Sequence, residues 1–481
     1  MQKAKPYWIL GAIGIVCIIL IPIFYFWPKQ VKASTDNPTS NVPQHYTHVS
    51  HQNIIQGTFA SGSDVTRACL KCHPDAASEV MHTSHWTWES IPFNVSWRAE
   101  PVTVGKANQM NNFCISAQGN QKKCTSCHVG YNWKEGQSYD YTKSDNVDCL
   151  ICHADTTLYS RGDYGAPAKG VNLLVAAQSV RAPTRDNCGA CHFNGGGGDN
   201  VKHGDLDQGL KLPSANLDIH MGGYNFLCTD CHKTSNHSIK GKLTADNIQV
   251  KSSEQVACTD CHSEKPHKDD RINAHTQTVA CQTCHVPAVA LDEPTKVYWD
   301  WSTAGENRPE DHYVYLKIKG SFIYAKDVVP QYLWYNGNLS YRYLEGDKID
   351  PTKPTVLDMP AGNINDTSAK IFPFKLQITK QPYDKVYDYL LAPITAGDGG
   401  YWSVFNWDAA FRLAEPITGL KYSGQYGFAE TWTYWPSTHM VQTGENALQC
   451  NDCHEPNGRM DWKALGYFGD PMVWGGRFQG K

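Results

Sequence analysis

Strong net charge of either sign is missing from this chain. Its 43 Lys and Arg against 47 Asp and Glu leave −4 over 481 residues. That balance offers nucleic acid no electrostatic footprint, so this class of partner is excluded. Brevity is missing too, and a disulfide scaffold is usually a short secreted chain. Small residues are absent just ahead of Cys17, which argues against a lipid-attachment site there. No recognisable catalytic motif occurs between 299 and 434, a stretch rich in Tyr, Trp and Phe.

Cysteine and histidine are present in excess, at 18 and 20. Spacing explains them. C-x-x-C-H occurs eight times, starting at Cys69, Cys124, Cys149, Cys188, Cys228, Cys258, Cys281 and Cys450. The second cysteines are Cys72, Cys127, Cys152, Cys191, Cys231, Cys261, Cys284 and Cys453. The motif histidines are His73, His128, His153, His192, His232, His262, His285 and His454. In a c-type haem two thiols bond the vinyl groups and the next imidazole reaches the iron. A single copy reads equally as half of a zinc site. Eight copies, each ending in His and all behind an export signal, predict eight covalently bound haems.

Lys3 and Lys5 precede an uncharged apolar run over 6–28. It is long enough to cross a bilayer and longer than the usual core of a cleaved signal peptide. Residues 1–33 therefore read as a signal-anchor with a cytoplasmic N-terminus, although Val31-Lys32-Ala33 also fits a cleavage site. This places the remainder on the periplasmic side of a bacterial inner membrane. A polar tether follows over 34–63, then a haem-dense region with seven motifs over 64–298. An aromatic, haem-free cap spans 299–438, with a dimer surface as its other reading, and a C-terminal region with the eighth motif spans 439–481. The expected fold is mainly α with large loop content, a multihaem cytochrome c fold in which porphyrins replace side chains as core filling. Helical starts are expected in 68–80 and 254–262, and a short helix over 403–414. A small β-hairpin is expected from 332–335 and 339–343 about Asn336-Gly337.

Eight motif histidines leave twelve others. Imidazole on both faces closes an iron to substrate and suits it to electron transfer. His85, His203, His220, His237, His267, His275 and His439 lie among the motif-bearing stretches and are the expected distal ligands, with His51 and then His82 in reserve. Catalysis needs one iron held differently. Two features are left over for it. Cys114 belongs to no motif, and four glycines at 195–198 lead into Asp199-Asn200-Val201-Lys202-His203-Gly204-Asp205. Glycine lets the backbone approach a flat group such as haem. Asp199 and Lys202 are three apart, as are Asn111 and Cys114, so a helical turn would put each pair on one face. Taken alone, Lys202 also reads as a solvent lysine and Cys114 as a buried structural thiol.

These motifs, the long gap before the last of them, the 188–206 stretch and the Asn111/Cys114 pair resemble the octahaem tetrathionate reductase family. The resemblance implies one haem with a lysine as distal ligand. Carried over, that haem is held by Cys124, Cys127 and His128, with Lys202 across the iron and Asp199, Cys114 and Asn111 beside it. No motif ends in lysine, as the catalytic one of pentahaem nitrite reductases does. Nothing calls for the tyrosine cross-link of hydroxylamine oxidoreductases.

The implied function is an exported reductase of tetrathionate, with nitrite or hydroxylamine as further substrates. A small sulfur or nitrogen oxyanion would be the substrate, and a quinol-linked enzyme or small cytochrome the electron donor. The other readings are a pure electron conduit and a hydroxylamine-oxidoreductase-like enzyme.

Overall fold

The computed structural model describes residues 42–45, 47–134, 137–241 and 252–477. The expected signal-anchor over 1–33 and the first part of the tether lie outside the described residues. Among the described residues no helix is long and apolar enough to cross a membrane.

The motif-bearing region consists of short helices and loops. Its first helix, α1 (Gly62–Cys69), starts where Ser61 and Asp64 form a reciprocal capping box, which satisfies otherwise orphaned N–H groups. The helical start expected at 68–80 is thus corrected: α1 ends there, and Pro74 separates it from a second short helix at Ala76–Met81. Around 254–262 only 3₁₀ turns form, at Ser252–Glu254 and Cys258–Asp260. The Asp260 carboxylate accepts from the Ala257 N–H at 3.1 Å and starts the second turn beside its cysteine. Helix α2 (Arg185–His192) carries the fourth attachment motif on its last turns.

The segment expected to hold one small hairpin is instead a nine-stranded mixed sheet, so the fold is not mainly α. Its strands are β1 (Thr295–Asp300), β2 (Tyr315–Leu316), β3 (Gly320–Ala325), β4 (Gln331–Tyr335), β5 (Leu339–Arg342), β6 (Thr355–Pro360), β7 (Lys370–Asp384), β8 (Tyr389–Leu390) and β9 (Tyr426–Pro436). The order is β2-β3-β1-β7-β9-β6-β5, with β4 and β8 also pairing to β7. The expected hairpin does not form. β4 pairs with the start of β7, and β5 pairs with β6. Asn336 donates to the Ala361 carbonyl and Asn338 accepts from the Ala361 N–H, so the chain steps across Ala361 from one neighbour to the next. The helix expected over 403–414 is two helices. Tyr401–Val404 stops at Phe405, whose φ is +50°, and α3 (Trp407–Thr418) begins under an Asn406 cap.

β7 sets the architecture. Lys375, Gln377, Thr379 and Gln381 alternate along it and are all fully buried. A period of two places them on one face, and that face docks on loops of the motif-bearing region. Asn112 Nδ2 donates to the Gln377 carbonyl at 2.7 Å, Thr379 Oγ1 donates to the Asn112 carbonyl, and Lys375 Nζ donates to the Val201 and Lys202 carbonyls at 2.8 and 3.1 Å. Around these bonds Met110, Phe113, Ile115 and Val201 share one core with Trp299, Trp301, Tyr401, Trp407, Phe411 and Trp435. Asn112→Ala removes the side-chain donor and leaves the Gln377 carbonyl one partner short. It should cost about 1–3 kcal/mol, seen as a lower midpoint in a thermal melt followed by circular dichroism. An unchanged midpoint would show that the loop is held by packing alone.

Candidate functional site

Seven of the eight motif histidines each face a second histidine. The pairs are His73/His51, His153/His237, His192/His85, His232/His439, His262/His220, His285/His267 and His454/His275. Their ring centroids are 6.1–6.5 Å apart. Metal–imidazole bonds of about 2 Å on each side, added to the two ring radii, give roughly this separation. The residues present therefore fit a haem iron at seven places. Several rings are also oriented for it through Nδ1, which leaves Nε2 for the metal. Nδ1 of His153, His232, His275 and His285 donates to the carbonyls of Arg181, Lys240, Arg271 and Gln442 at 2.7–3.0 Å. Nδ1 of His237 and His454 meets the carboxylates of Glu79 and Asp470 at 2.7 Å.

Two ligand expectations change. His203 faces no motif histidine; its ring lies against Trp435 at 5.1 Å, because β9 brings that indole over the loop. His51, the reserve, occupies the place opposite His73. His82 turns its Nδ1 to the Ser78 carbonyl at 2.7 Å. Asp205 was not singled out, yet it is almost fully buried and accepts from the Thr438 and His439 N–H groups at 2.6 and 2.8 Å. It thereby sets the position of His439. Its place in the Lys202-His203-Gly204-Asp205 run is the only sequence signal for that role.

His128 differs from the other seven. No histidine faces it among the described residues. Its ring sits in a cage of Trp86, Trp88, Trp133 and Tyr139, with centroids 4.9–5.4 Å away. Nδ1 accepts from the Trp133 indole at 3.0 Å and Nε2 donates to the Trp86 carbonyl at 2.7 Å. Burial pushes its pKa down to about 3, so the imidazole is neutral, as a metal ligand must be. A haem held by this motif would take His128 Nε2 in place of the Trp86 carbonyl.

Thiols of different motifs also meet. Cys69 lies beside Cys149, Cys127 beside Cys191, Cys188 beside Cys228, and Cys258 beside Cys281. Cys152 with Cys188, Cys231 with Cys261, and Cys284 with Cys453 are close enough to act on each other's charge. The motifs thus follow one another in space in chain order, except that the second joins as a side branch at the fourth.

The four carried-over residues are not equally placed. Asn111 Oδ1 accepts from the Phe113 and Cys114 N–H groups at 3.1 and 3.0 Å, so the three-residue spacing closes a turn and not a helix. Cys114 is buried, with Sγ 3.6 Å from the Gly196 carbonyl. The glycine run lies against it: a side chain at Gly197, whose φ is +93°, would begin 3.3 Å from that sulfur. The Lys202 stem runs beside Gly195 and Gly196, and its Nζ lies 4.7 Å from the centre of the Trp435 ring and 5.8 Å from that of Phe113. Asp199 turns elsewhere, accepting from the Gln208 N–H at 3.2 Å, and burial beside Glu293 raises its pKa. Burial likewise pushes the Cys114 thiol up, against the opposing pull of Lys319, Lys296 and Lys106. These three lysines carried no sequence signal, since two come from the haem-free segment or its edge and join the site only through the sheet.

A family model described as bacterial cytochrome c matches residues 296–457, and one for cytochrome c7 and related cytochromes c matches 214–286. An uncharacterized protein of Archaeoglobus fulgidus is 22% identical, over 46% of this chain and 89% of that protein. The crystal structure of an octaheme cytochrome c from Shewanella oneidensis superposes with a TM-score of 0.82 at 45% identity, covering 88% of this chain and 98% of that one. Likeness of this extent, together with the motifs and paired histidines, makes the chain a haem c-binding redox protein that belongs to the octahaem cytochromes c, the group to which the octahaem tetrathionate reductases belong.

Proposed function

We propose that this protein carries eight haems and is a terminal reductase, splitting tetrathionate into two thiosulfates at the haem of the Cys124–His128 motif. Nitrite and hydroxylamine are further candidate substrates. The observation that carries the reading is the contrast of seven histidine pairs with one unpaired motif histidine, His128. Seven closed irons make a wire, and an eighth held differently gives it a place for chemistry. Lys202 is the proposed eighth distal ligand. The branch at the fourth motif supports the same division, because electrons from either end reach the second motif through it. Residues 6–28 are proposed to tether the protein on the periplasmic side, near a quinol-linked or small-cytochrome donor.

When bound, the haem at this motif supplies two electrons, one at a time. The chain's own contribution begins with the Cys114 thiolate, which attacks one central sulfur of tetrathionate. A Cys114–sulfur bond forms, the central S–S bond breaks, and the first thiosulfate leaves. Two electrons then break the Cys114–sulfur bond, releasing the second thiosulfate and restoring the thiolate. Asn111 holds Cys114 through its backbone N–H. Asp199 is a proton carrier and not an orienter of Lys202, since its carboxylate accepts from the Gln208 N–H.

Dithionite-reduced protein without excess reductant should be reoxidised rapidly by tetrathionate, and Lys202→Leu should lose that reaction. Failure of tetrathionate, nitrite and hydroxylamine alike to reoxidise the wild type would leave only the conduit. Cys114→Ser should abolish tetrathionate turnover while haem content stays intact. Because burial holds the thiol above its ordinary 9.0, the thiolate fraction rises about tenfold per pH unit between pH 7 and 9. The kcat/KM for tetrathionate should follow it, and a flat profile would rule out thiolate attack. His51→Ala should add one high-spin iron to the electron paramagnetic resonance spectrum, whereas His203→Ala should add none.

A further inference from the structure

A buried ion pair lies between the second and third attachment motifs. Arg161 Nε is 3.3 Å from Asp148 Oδ2, and the two side chains are 2% and 0% exposed. The guanidinium is aimed at the second motif. Its Nη1 donates to the His128 carbonyl, and Nη2 donates to the Gly130 carbonyl at 2.6 Å. Nε also donates to the Gly165 carbonyl at 2.8 Å. Gly165 has a φ of +67°, and a Cβ there would collide with Nη2, so the loop is shaped around the cation. The carboxylate belongs to the third motif. Asp148 immediately precedes Cys149, and its Oδ1 accepts from the Ile151 N–H at 3.1 Å, inside that motif. The Tyr131 and Tyr159 hydroxyls donate to Oδ1 and Oδ2 at 2.6 and 2.7 Å.

The two charges therefore address different motifs. Arg161 and Tyr159 line a cavity of about 210 Å³ together with Cys127 and Cys191, where the second and fourth motifs meet. The charge of Arg161 acts on Cys127 and Cys191, whereas that of Asp148 acts on Cys69 and Cys149. Both reach Cys152, and there the carboxylate acts more strongly. Arginine keeps its charge in proteins, and charges held away from water are weakly screened. A cation beside a haem favours its reduced state, and an anion favours its oxidised state.

We infer that the Arg161–Asp148 pair is an electrostatic branch selector, directing electrons that reach the haem of the fourth motif into that of the second and away from that of the third. The inference rests on the eight-haem reading above and on no choice of substrate. The fourth motif adjoins both neighbours, through Cys191 beside Cys127 and Cys188 near Cys152. In each transfer one electron leaves the iron of the fourth motif and reduces that of the second. The donor that refills the fourth is the quinol-linked or small-cytochrome partner already named, and no bond forms or breaks. Arg161 is a positioning residue, acting through its field and through the His128 carbonyl.

The test is a potentiometric titration of the holoprotein, followed by the electron paramagnetic resonance signal of the one haem without a second histidine. Arg161→Gln should shift its equilibrium about tenfold against reduction, about 59 mV for one electron. Asp148→Asn should shift it the opposite way, and Arg161→Lys should stay close to wild type. In Asp148→Asn one bis-histidine step of the optical titration should rise further than this signal does, as the third haem loses its carboxylate. Structural damage would move Arg161→Gln and Asp148→Asn in one direction, so shifts of the same sign would overturn the inference. An unchanged midpoint in Arg161→Gln, or no bis-histidine step rising further in Asp148→Asn, would also overturn it. If Arg161→Gln does not load haem at the second motif, Asp148→Asn carries the comparison, and an unchanged midpoint there counts against the selector. Eight uniform bis-histidine signals would refute the distinct iron of the functional reading. The optical titration would then decide the selector, upheld by steps moving oppositely in the two variants and overturned if none moves.

Discussion

The arrangement depends on the buried polar face of one strand. Alternating Lys375, Gln377, Thr379 and Gln381 would be solvated on an ordinary antiparallel sheet. Here they face protein, and burying them calls for hydrogen-bond partners, most of which the loops opposite supply. The Asn112 carbonyl does so for Gln377 and Thr379, and the Val201 and Lys202 carbonyls for Lys375, while Gln381 accepts from Thr431 of β9. Those loops carry Asn111, Cys114 and Lys202, so satisfying the strand also aligns the candidate site. The haem-free segment is therefore a clamp on the motif-bearing region, and its aromatic residues seal the joint against water.

The paired histidines express a different constraint. Each attachment motif is a short turn of low intrinsic stability, and isolated helices of this length do not persist in water. The partner imidazole comes from elsewhere in the chain, as His439 does for His232 or His51 for His73. A metal bridging each pair would cross-link distant segments, in the way structural metals couple binding to folding. Buried carboxylates such as Asp205 then do local work, holding one ring of a pair at the right height. His128 stands outside this scheme, hydrogen-bonded at both nitrogens within an aromatic cage.

Charge around the site is one-sided although the chain as a whole is nearly neutral. Lys106, Lys296 and Lys319 all act on Cys114, and Lys375 is buried one strand away. Like charges held together in a dry interior repel each other, and burial lowers the proton affinity of both Lys296 and Lys375.

The attachment motifs were legible from sequence because their chemistry is local. Five consecutive residues hold both thiols and one imidazole, so spacing alone identifies them, as it does the leftover Cys114 and the glycine run. Six of the seven histidines expected as distal ligands do face a motif histidine, whereas His203 lies under Trp435 of β9 and His51 stands opposite His73. The nine-stranded sheet was hidden by its own polar alternation, which reads as exposed strand, and by the Asn336-Gly337 turn, which mimics a hairpin while joining strands that pair with others. Asp199 turned away from Lys202 because the 199–202 segment is a loop and not a helical turn. Lys319 lies 122 residues from Gly197, whose carbonyl it meets, and only the fold of the sheet brings it there. Local covalent chemistry was determined by the sequence itself; which groups share a pocket was decided by long-range packing, whose energy depends on partners that no short stretch of sequence contains.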